Sequence, residues 1–473
     1  MLACESVREA PVAFRPMPSA TSPMPPIPDA ALIALIGAVL AGGAVVPFVL
    51  RRRRRERDAR DKAHRAERAG LHEPASLHPV IDPMLCLGCG ACTAVCPEGD
   101  VLALVGGQAA TIAPARCVGH GRCERACPTG AITLVFGTES RGVELPRVQG
   151  DYQTNVPGLY IVGELGGMGL VRNAFEQGKQ AAEGIARALA DDPPAPDAVD
   201  VAVVGAGPGG IAAASTLLRA GVDVAVLERE ADLGGTVRHY PRRKLVLTQP
   251  FEIPGYGTIE ASEIPKERLM DVWTDVADET GVRGRIRTGH RVLGACRDAD
   301  GLFAVEVEGR EPVRARRVVL AIGRRGTPRK LGVPGEDQPH VAYGLLEPEA
   351  YAGRRCLVVG GGDSAVEAAL ALSDLPGTEV RLSYRRAQIT RAKAANLQRL
   401  DAALASGAIT VLWETNVTAI HADTATLSSP DGETTVPAED VFVFAGGELP
   451  TALLEACGVE MDTHFGTPRP LRA

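Results

Sequence analysis

Apolar positions follow two different rhythms along this chain. Near its start, Ala30–Leu50 is an unbroken run without a charge, long enough at about 1.5 Å per residue to cross a hydrocarbon layer of roughly 30 Å as one helix. Further on, Val201–Val204, Val224–Leu227 and Cys356–Val359 are short continuous apolar runs, as expected of buried parallel strands. The first and last of these lead directly into glycine-rich turns and then Ala-rich segments, which predicts strand, tight turn and helix in each case. The whole pattern predicts an α/β fold with two Rossmann-like domains, a small α+β domain ahead of them, and one N-terminal transmembrane helix over residues 30–50.

Charge sharpens the reading of the first run. Arg51–Arg55 follow it directly, and the positive-inside rule then places everything downstream in the cytoplasm and the Pro-rich residues 1–29 outside. The competing reading, a cleaved signal peptide, needs its positive charge ahead of the apolar run and a small-residue cleavage pattern behind it. No such pattern leads into Arg51. The expected location is a membrane, single-pass, the bacterial inner membrane in particular, with lipid as one partner. Residues 51–79, where Arg is interspersed with Glu and Asp, read as a basic juxtamembrane helix and linker. A length of 473 residues allows several folded units, and the net charge of −7 argues against nucleic acid as the main partner, since phosphate binding needs a concentrated basic face.

Cysteine spacing supplies the strongest chemical signal. Seven of the eleven cysteines lie between positions 86 and 127, a density that in the cytoplasm points to metal rather than to disulfides. Cys86, Cys89, Cys92 and Cys96, followed by Pro97, spell C-x2-C-x2-C-x3-C-P, the bacterial ferredoxin pattern for a 4Fe–4S cluster. The same run recurs at the same spacing as Cys117, His120, Cys123 and Cys127 before Pro128, an internal duplication with one ligand changed. Residues 80–137 are thus expected to form a ferredoxin-like domain with two clusters. The resemblance to two-cluster ferredoxins implies that Cys86, Cys89, Cys92 and Cys127 hold the first, and Cys96, Cys117 and Cys123 with His120 the second. Three outcomes stay open for His120: ligand of a 4Fe–4S cluster, bystander to a 3Fe–4S cluster, or structural histidine beside an empty site. Cys4, Cys296, Cys356 and Cys457 are isolated in the sequence and read as inert.

Two dinucleotide fingerprints follow. After Val201–Val204 come Gly205, Gly207, Gly209 and Gly210, and the next strand, Val224–Leu227, ends in Glu228. Glycines admit a pyrophosphate to a helix N-terminus, and a carboxylate at the end of the second strand binds ribose hydroxyls. The second turn carries Gly360, Gly362, Asp363 and Ser364, and its next strand ends in Arg385 and Arg386, with Arg391 beyond. Guanidinium forks in place of a carboxylate match a 2′-phosphate, so NADPH is expected over NADH. The alternative is that these arginines are surface charge.

Residues 200–460 resemble the thioredoxin reductase-like flavoproteins, pyridine nucleotide oxidoreductases with FAD in the first Rossmann unit and NADPH in an inserted second. Gly205–Gly210, Gly234-Gly235-Thr236, Ala321-Ile-Gly323-Arg324, Gly360–Glu367 and Phe444–Pro450 carry the match. Tyr240–Thr248 and Gly323–Lys330 look like the bacillithiol-disulfide reductase subgroup. The resemblance implies bound FAD and NADPH, with Gly163, Glu164, Gly235, Thr236 and Gly323 added to the FAD site. Two departures stand out. No pair of cysteines after Cys127 is close in sequence, so the thioredoxin reductase C-x-x-C is missing and its exchange chemistry is not expected. The closing FAD piece, expected after the nucleotide domain, reads instead upstream as Thr154–Glu164, which implies a circular permutation. The expected domains are 138–190 (permuted FAD piece), 191–198 (linker), 199–327 (FAD), 328–448 (NADPH) and 449–473 (return to the FAD domain).

The function expected from all this is movement of electrons between NADPH, FAD and iron–sulfur clusters, with ferredoxin, a quinone or a disulfide as outside partner. No side chain is singled out as an acid–base catalyst. The alternatives are a disulfide or persulfide reductase with auxiliary clusters, and a membrane-tethered redox sensor. A homodimer is a further expectation from the resemblance.

Overall fold

The computed structural model describes residues 29–68, 74, 77–99, 101–167, 169–240, 244–247, 250–253, 255–261, 263–324, 327–390 and 392–468. The Pro-rich tail before Asp29 and Arg391 lie outside these residues. The chain divides into two units, residues 1–57 and 58–473.

Helix α1, Asp29–Arg68, does not end where the apolar run ends at Leu50 but continues through the five arginines. Among the described residues no helix is long and apolar enough to cross a membrane. This overturns the expected transmembrane helix and with it the single-pass placement in an inner membrane, and it leaves lipid as a partner without support. The run is half of a longer element: it carries three glycines and Pro47 within it, and the same helix runs on through the strongly charged stretch Arg51–Arg68. In the second unit, Ala66 near the end of α1 is buried against Ala113 and Ala115.

The cysteine-rich region folds around β1 (His78–Ile81), helical turn α2 (Ala91–Ala94), the hairpin β2 (Leu102–Val105) and β3 (Gln108–Thr111), turn α3 (Arg122–Arg125) and β4 (Ile132–Phe136). β1 pairs antiparallel with β4, and the β2–β3 turn is Gly106–Gly107 with φ of 62° and 86°, the pair of left-handed conformations that so tight a hairpin demands. Leu77, Leu102, Ile132, Leu134 and Phe136 form the core of this small domain.

Next come β5 (Val143–Pro146), β6 (Leu159–Ile161), helix α4 (Val171–Ala190), β7 (Val199–Val204), α5 (Pro208–Arg219) and β8 (Val224–Leu227). β8, β7 and the strand Val313–Leu320 run parallel in one seven-stranded sheet. Val318, Val319 and Leu320 also pair, in parallel, with Leu159, Tyr160 and Ile161 of β6. The segment upstream of the first glycine turn is therefore a strand of the same sheet. Its helix α4 packs directly on α5: a Cβ added to Gly178 would lie 2.3 Å from the Gly209 carbonyl oxygen. The connection over 191–198 is pinned by Arg316, which is 7 % exposed, pairs with Asp200 at 2.6 Å and donates to the Asp192 backbone oxygen at 2.8 Å.

The second Rossmann domain is a five-stranded parallel sheet in the order Val341–Ala342, Asp440–Val443, Arg355–Val359, Glu379–Tyr384, Ile409–Trp413. The return segment differs from expectation in its second half. Helix Thr451–Ala456 does lie against the FAD-side sheet, where a Cβ on Gly294 would meet Ala456 Cβ at 3.1 Å. Met461–His464 then pairs with β5, and Thr467–Pro468 adds to β4 as the third strand of the cysteine-rich domain's sheet. Arg147 braces this seam through Asp462 at 2.7 Å and Glu460.

Because the α4–α5 crossing leaves no room for a methyl group at Gly178, Gly178→Ala is expected to destabilise the chain by about 1–3 kcal/mol. Chemical denaturation followed by far-UV circular dichroism checks this.

Candidate functional site

The duplication in the cysteine-rich domain is also a duplication of backbone. Gly88 and Gly119, at φ of 68° and 78°, and Gly90 and Gly121, at 78° and 69°, hold the same left-handed turns at matching places in the two repeats. Gly90 and Gly121 cap α2 and α3, which carry Cys92 and Cys123. A side chain at Gly88 is barred outright, since its Cβ would fall 1.8 Å from the Gly107 oxygen. His120 therefore occupies the structural position of Cys89.

Cys86, Cys89 and Cys92 line one cavity of about 20 Å³, and the fourth cysteine in its wall is Cys127, from the second repeat. Sulfurs here accept backbone N–H groups: Cys86 from Ala109 at 3.4 Å, and Cys127 from Ala131 at 3.2 Å. Cys96 instead neighbours Cys117 and Cys123. Burial pushes the Cys117 thiol up to about 12 and that of Cys123 to about 11, so their thiolates call for compensating positive charge. The His120 ring is held at about 4 by burial and by the cations Arg122, Lys393 and Arg125, and is neutral at pH 7. Among the described residues no three His, Cys, Asp or Glu side chains converge on one metal ion; the four thiols line the walls of a cavity instead.

At the first glycine turn the chain is packed as tightly as backbone allows. A Cβ on Gly210 would stand 1.9 Å from the Gly205 oxygen, and one on Gly205, whose φ is 101°, 2.8 Å from the Ala321 oxygen. Gly207 caps α5 and faces Gly235, where a Cβ would lie 3.1 Å from the Gly207 Cα. Gly209 lies against the Ala174 oxygen of α4, 3.3 Å from its would-be Cβ. Thr236 follows in the short turn Gly235–Val237, and Gly323 is left-handed with open space beside it. Gly163, at φ 86°, donates its N–H to Gln177 Oε1 at 2.7 Å, and Glu164 opens the next turn. Glu228 is 4 % exposed; its Oε2 accepts the Ala206 N–H at 2.7 Å and its Oε1 the Glu230 N–H at 2.9 Å. Sequence reasoning gives Glu228 a ligand role only and misses that it ties the glycine turn to the end of β8.

At the second turn Gly360 is left-handed at φ 142°. A Cβ on Gly361 would meet the Tyr384 ring at 2.1 Å, whereas beside Gly362, the cap of helix Asp363–Ser373, there is nothing within 4 Å. Ser364 is the second residue of that helix. Asp363 accepts the Lys393 N–H at 2.7 Å and Asn396 Nδ2 at 2.8 Å. Lys244, on the FAD side, pairs with Glu367 of the same helix at 2.9 Å. Arg385 and Arg386 follow Tyr384 as exposed residues and form no ion pair among the described residues. Lys393 also acts on Glu98, whose carboxyl is raised by burial and one of whose oxygens is buried without a hydrogen-bond partner.

The structure brings together one pair of cysteines that read as isolated and inert in the sequence. Cys296 Sγ donates to the Ala456 oxygen at 3.3 Å, one residue from the buried Cys457. Their wide separation along the chain leaves no local signal to find them. Cys356 does stay alone, its thiol pushed up to about 12 by burial.

The model of the pyridine nucleotide-disulphide oxidoreductase family matches residues 202–469. The chain belongs to this family. A 4Fe-4S dicluster domain matches residues 78–128, so the oxidoreductase carries an iron–sulfur domain fused ahead of its flavoprotein part. Among curated relatives, a ferredoxin–NADP reductase from Ignicoccus hospitalis is 34 % identical over 201 residues, 42 % of this chain and 61 % of the relative. The bacilliredoxin reductase Bdr of Bacillus subtilis is 26 % identical over 271 residues, 56 % of this chain and 82 % of that one. The bacillithiol disulfide reductase of Bacillus cereus, a solved structure, has a TM-score of 0.49 at 27 % identity and covers 58 % of this chain and 85 % of its own. The chain spans about three fifths of the length of the first curated relatives, 61 % and 59 %. The expectation of an FAD-dependent oxidoreductase stands with the family.

Glu228→Ala strands two amide N–H groups at the turn, and the oxidoreductase is expected to lose about 1–3 kcal/mol for each. Urea unfolding of the flavin-stripped variant checks this: a loss there, with no flavin present, separates turn-holding from ligand binding.

Proposed function

We propose that this oxidoreductase moves electrons between NADPH and a one-electron partner such as a ferredoxin through FAD and two iron–sulfur clusters. The observation that carries the reading is the cavity whose wall holds Cys86, Cys89 and Cys92 from one repeat and Cys127 from the other, in a domain whose sheet takes its third strand from the flavoprotein's return segment. When bound, FAD exchanges a hydride with NADPH and single electrons with the clusters, which is the conversion such a fusion serves.

The residues contribute position and charge. The glycines at 205, 207, 209 and 210 leave the N-terminus of α5 open to a pyrophosphate, with Gly235 and Thr236 across the gap and Gly163, Glu164 and Gly323 at the same edge of the sheet. Gly360, Gly362, Asp363 and Ser364 shape the NADPH turn, and the exposed guanidinium groups of Arg385 and Arg386 select the 2′-phosphate. Cys96, Cys117 and Cys123, with His120 in the position equivalent to Cys89, form the second ligand group. N–H groups aimed at Cys86 and Cys127 would raise the potential of a cluster held by these sulfurs. The pairing of β6 with Val318–Leu320 supports a circularly permuted FAD domain.

A second reading, a disulfide reductase with auxiliary clusters, is favoured by the likeness to a bacilliredoxin reductase over 82 % of that relative. Anaerobic NADPH addition separates the two. Flavin bleaching together with cluster signals in low-temperature EPR is the expected result; a bleached flavin beside clusters that stay oxidised points to the disulfide reductase. Replacing Arg385 and Arg386 together by Ala is expected to raise the KM for NADPH at least about tenfold, the loss of roughly 1.4 kcal/mol or more of phosphate pairing, and to leave the KM for NADH unchanged. Steady-state kinetics with both nucleotides checks it.

A further inference from the structure

Cys296 and Cys457 meet where the strand Val292–Arg297 packs on the helix Thr451–Ala456. Cys296 Sγ donates to the carbonyl of Ala456, the residue before Cys457, at 3.3 Å. The buried Cys457 thiol lies beside the Ala295 backbone, the residue before Cys296, and within electrostatic reach of Cys296 itself. Strand and helix approach closely there, with Gly294 lying against Ala456 Cβ, so the two cysteines sit at one strand–helix contact. Accessibility divides the pair: Cys296 is exposed and Cys457 is 4 % exposed. Both thiols are free.

We propose that Cys296 and Cys457 form a second redox site, a dithiol that low-molecular-weight disulfides of the glutathione class oxidise to an internal disulfide. The exposed Cys296 thiolate attacks one sulfur of the small disulfide, forming a mixed disulfide and expelling one thiolate. The Cys457 sulfur, after losing its proton, attacks the Cys296 sulfur and expels the second. Two protein thiols and one small disulfide become one protein disulfide and two small thiols, so atoms and electrons balance. Burial pushes the Cys457 thiol up to about 11, which makes the second step slow and faster at alkaline pH. The product bond would staple the C-terminus of helix Thr451–Ala456 to the strand Val292–Arg297, ahead of the stretch that pairs with β5 and β4. The site lies apart from the cluster cysteines and does not depend on the electron-transfer reading.

The test uses the full chain, cluster-loaded and kept anaerobic, incubated with oxidised glutathione, then alkylated in denaturant and mapped by mass spectrometry. The expected result is a Cys296–Cys457 cross-link, with both thiols lost together, no glutathione retained, and a rate that rises between pH 7 and pH 9. Cys457→Ser, checked for folding by circular dichroism, is expected to trap one glutathione on Cys296. Glutathione retained on Cys296 of the unsubstituted chain beside a free Cys457, or both thiols alkylated after prolonged incubation, would overturn the proposal. That mapping stands even where the serine variant fails to fold.

Discussion

Everything in the flavoprotein part hangs on the strand Val313–Leu320. Along one edge it hydrogen-bonds to β7; along the other it changes partner half-way, antiparallel to Phe303–Val305 at its start and parallel to β6 at its end. Its end, flanked by β7 and β6, is apolar on both faces, with Val318, Val319 and Leu320 fully buried, while Arg316 nearer its start is buried against Asp200. The register then delivers Ala321–Gly323, Gly205 and Gly163 to one edge, because Val162 N–H bonds to Leu320 and Ala321 N–H to Val204. Three stretches from remote parts of the sequence reach the carboxyl ends of neighbouring strands together, where open α/β sheets bind ligands.

A second consequence of that sheet is the short path from β6 back to the cysteine-rich domain. Phe136, at the end of β4, packs so close to Gly167 that a Cβ there would stand 2.8 Å from its ring, and the same ring meets His464 at 5.9 Å. The return segment closes the loop by pairing with β5 and β4. Strand pairing is a directional, multi-point connection, unlike a flexible linker, so the iron–sulfur domain is held in register against the flavoprotein. The charge of Lys393, in the second Rossmann domain, also acts on His120 and Glu98 of the cysteine-rich domain.

Local chemistry is legible without any knowledge of the fold. The cysteine runs and the two glycine turns are readable because iron–sulfur ligation, pyrophosphate approach and tight turns impose fixed residue types at fixed short spacings. The apolar run over 30–50 misleads for a related reason: it is read as an element by itself, while its helix continues through Arg51–Arg55 to Arg68. The double duty of Glu228 is hidden because its role as an acceptor for Ala206 and Glu230 depends on how the turn folds back over β8.

What the sequence determined by itself, then, is the pair of glycine turns and the cysteine-rich domain ahead of the oxidoreductase part, since each is written within one short stretch of chain. What only the tertiary structure decided are meetings across distance: the last strands crossing back to β4 and β5, Glu228 tying the glycine turn to the end of β8, and Cys296 reaching the Ala456 carbonyl beside Cys457. The physical reason is that such contacts are selected by register and burial, which depend on the simultaneous packing of many residues and leave no periodic mark at either end.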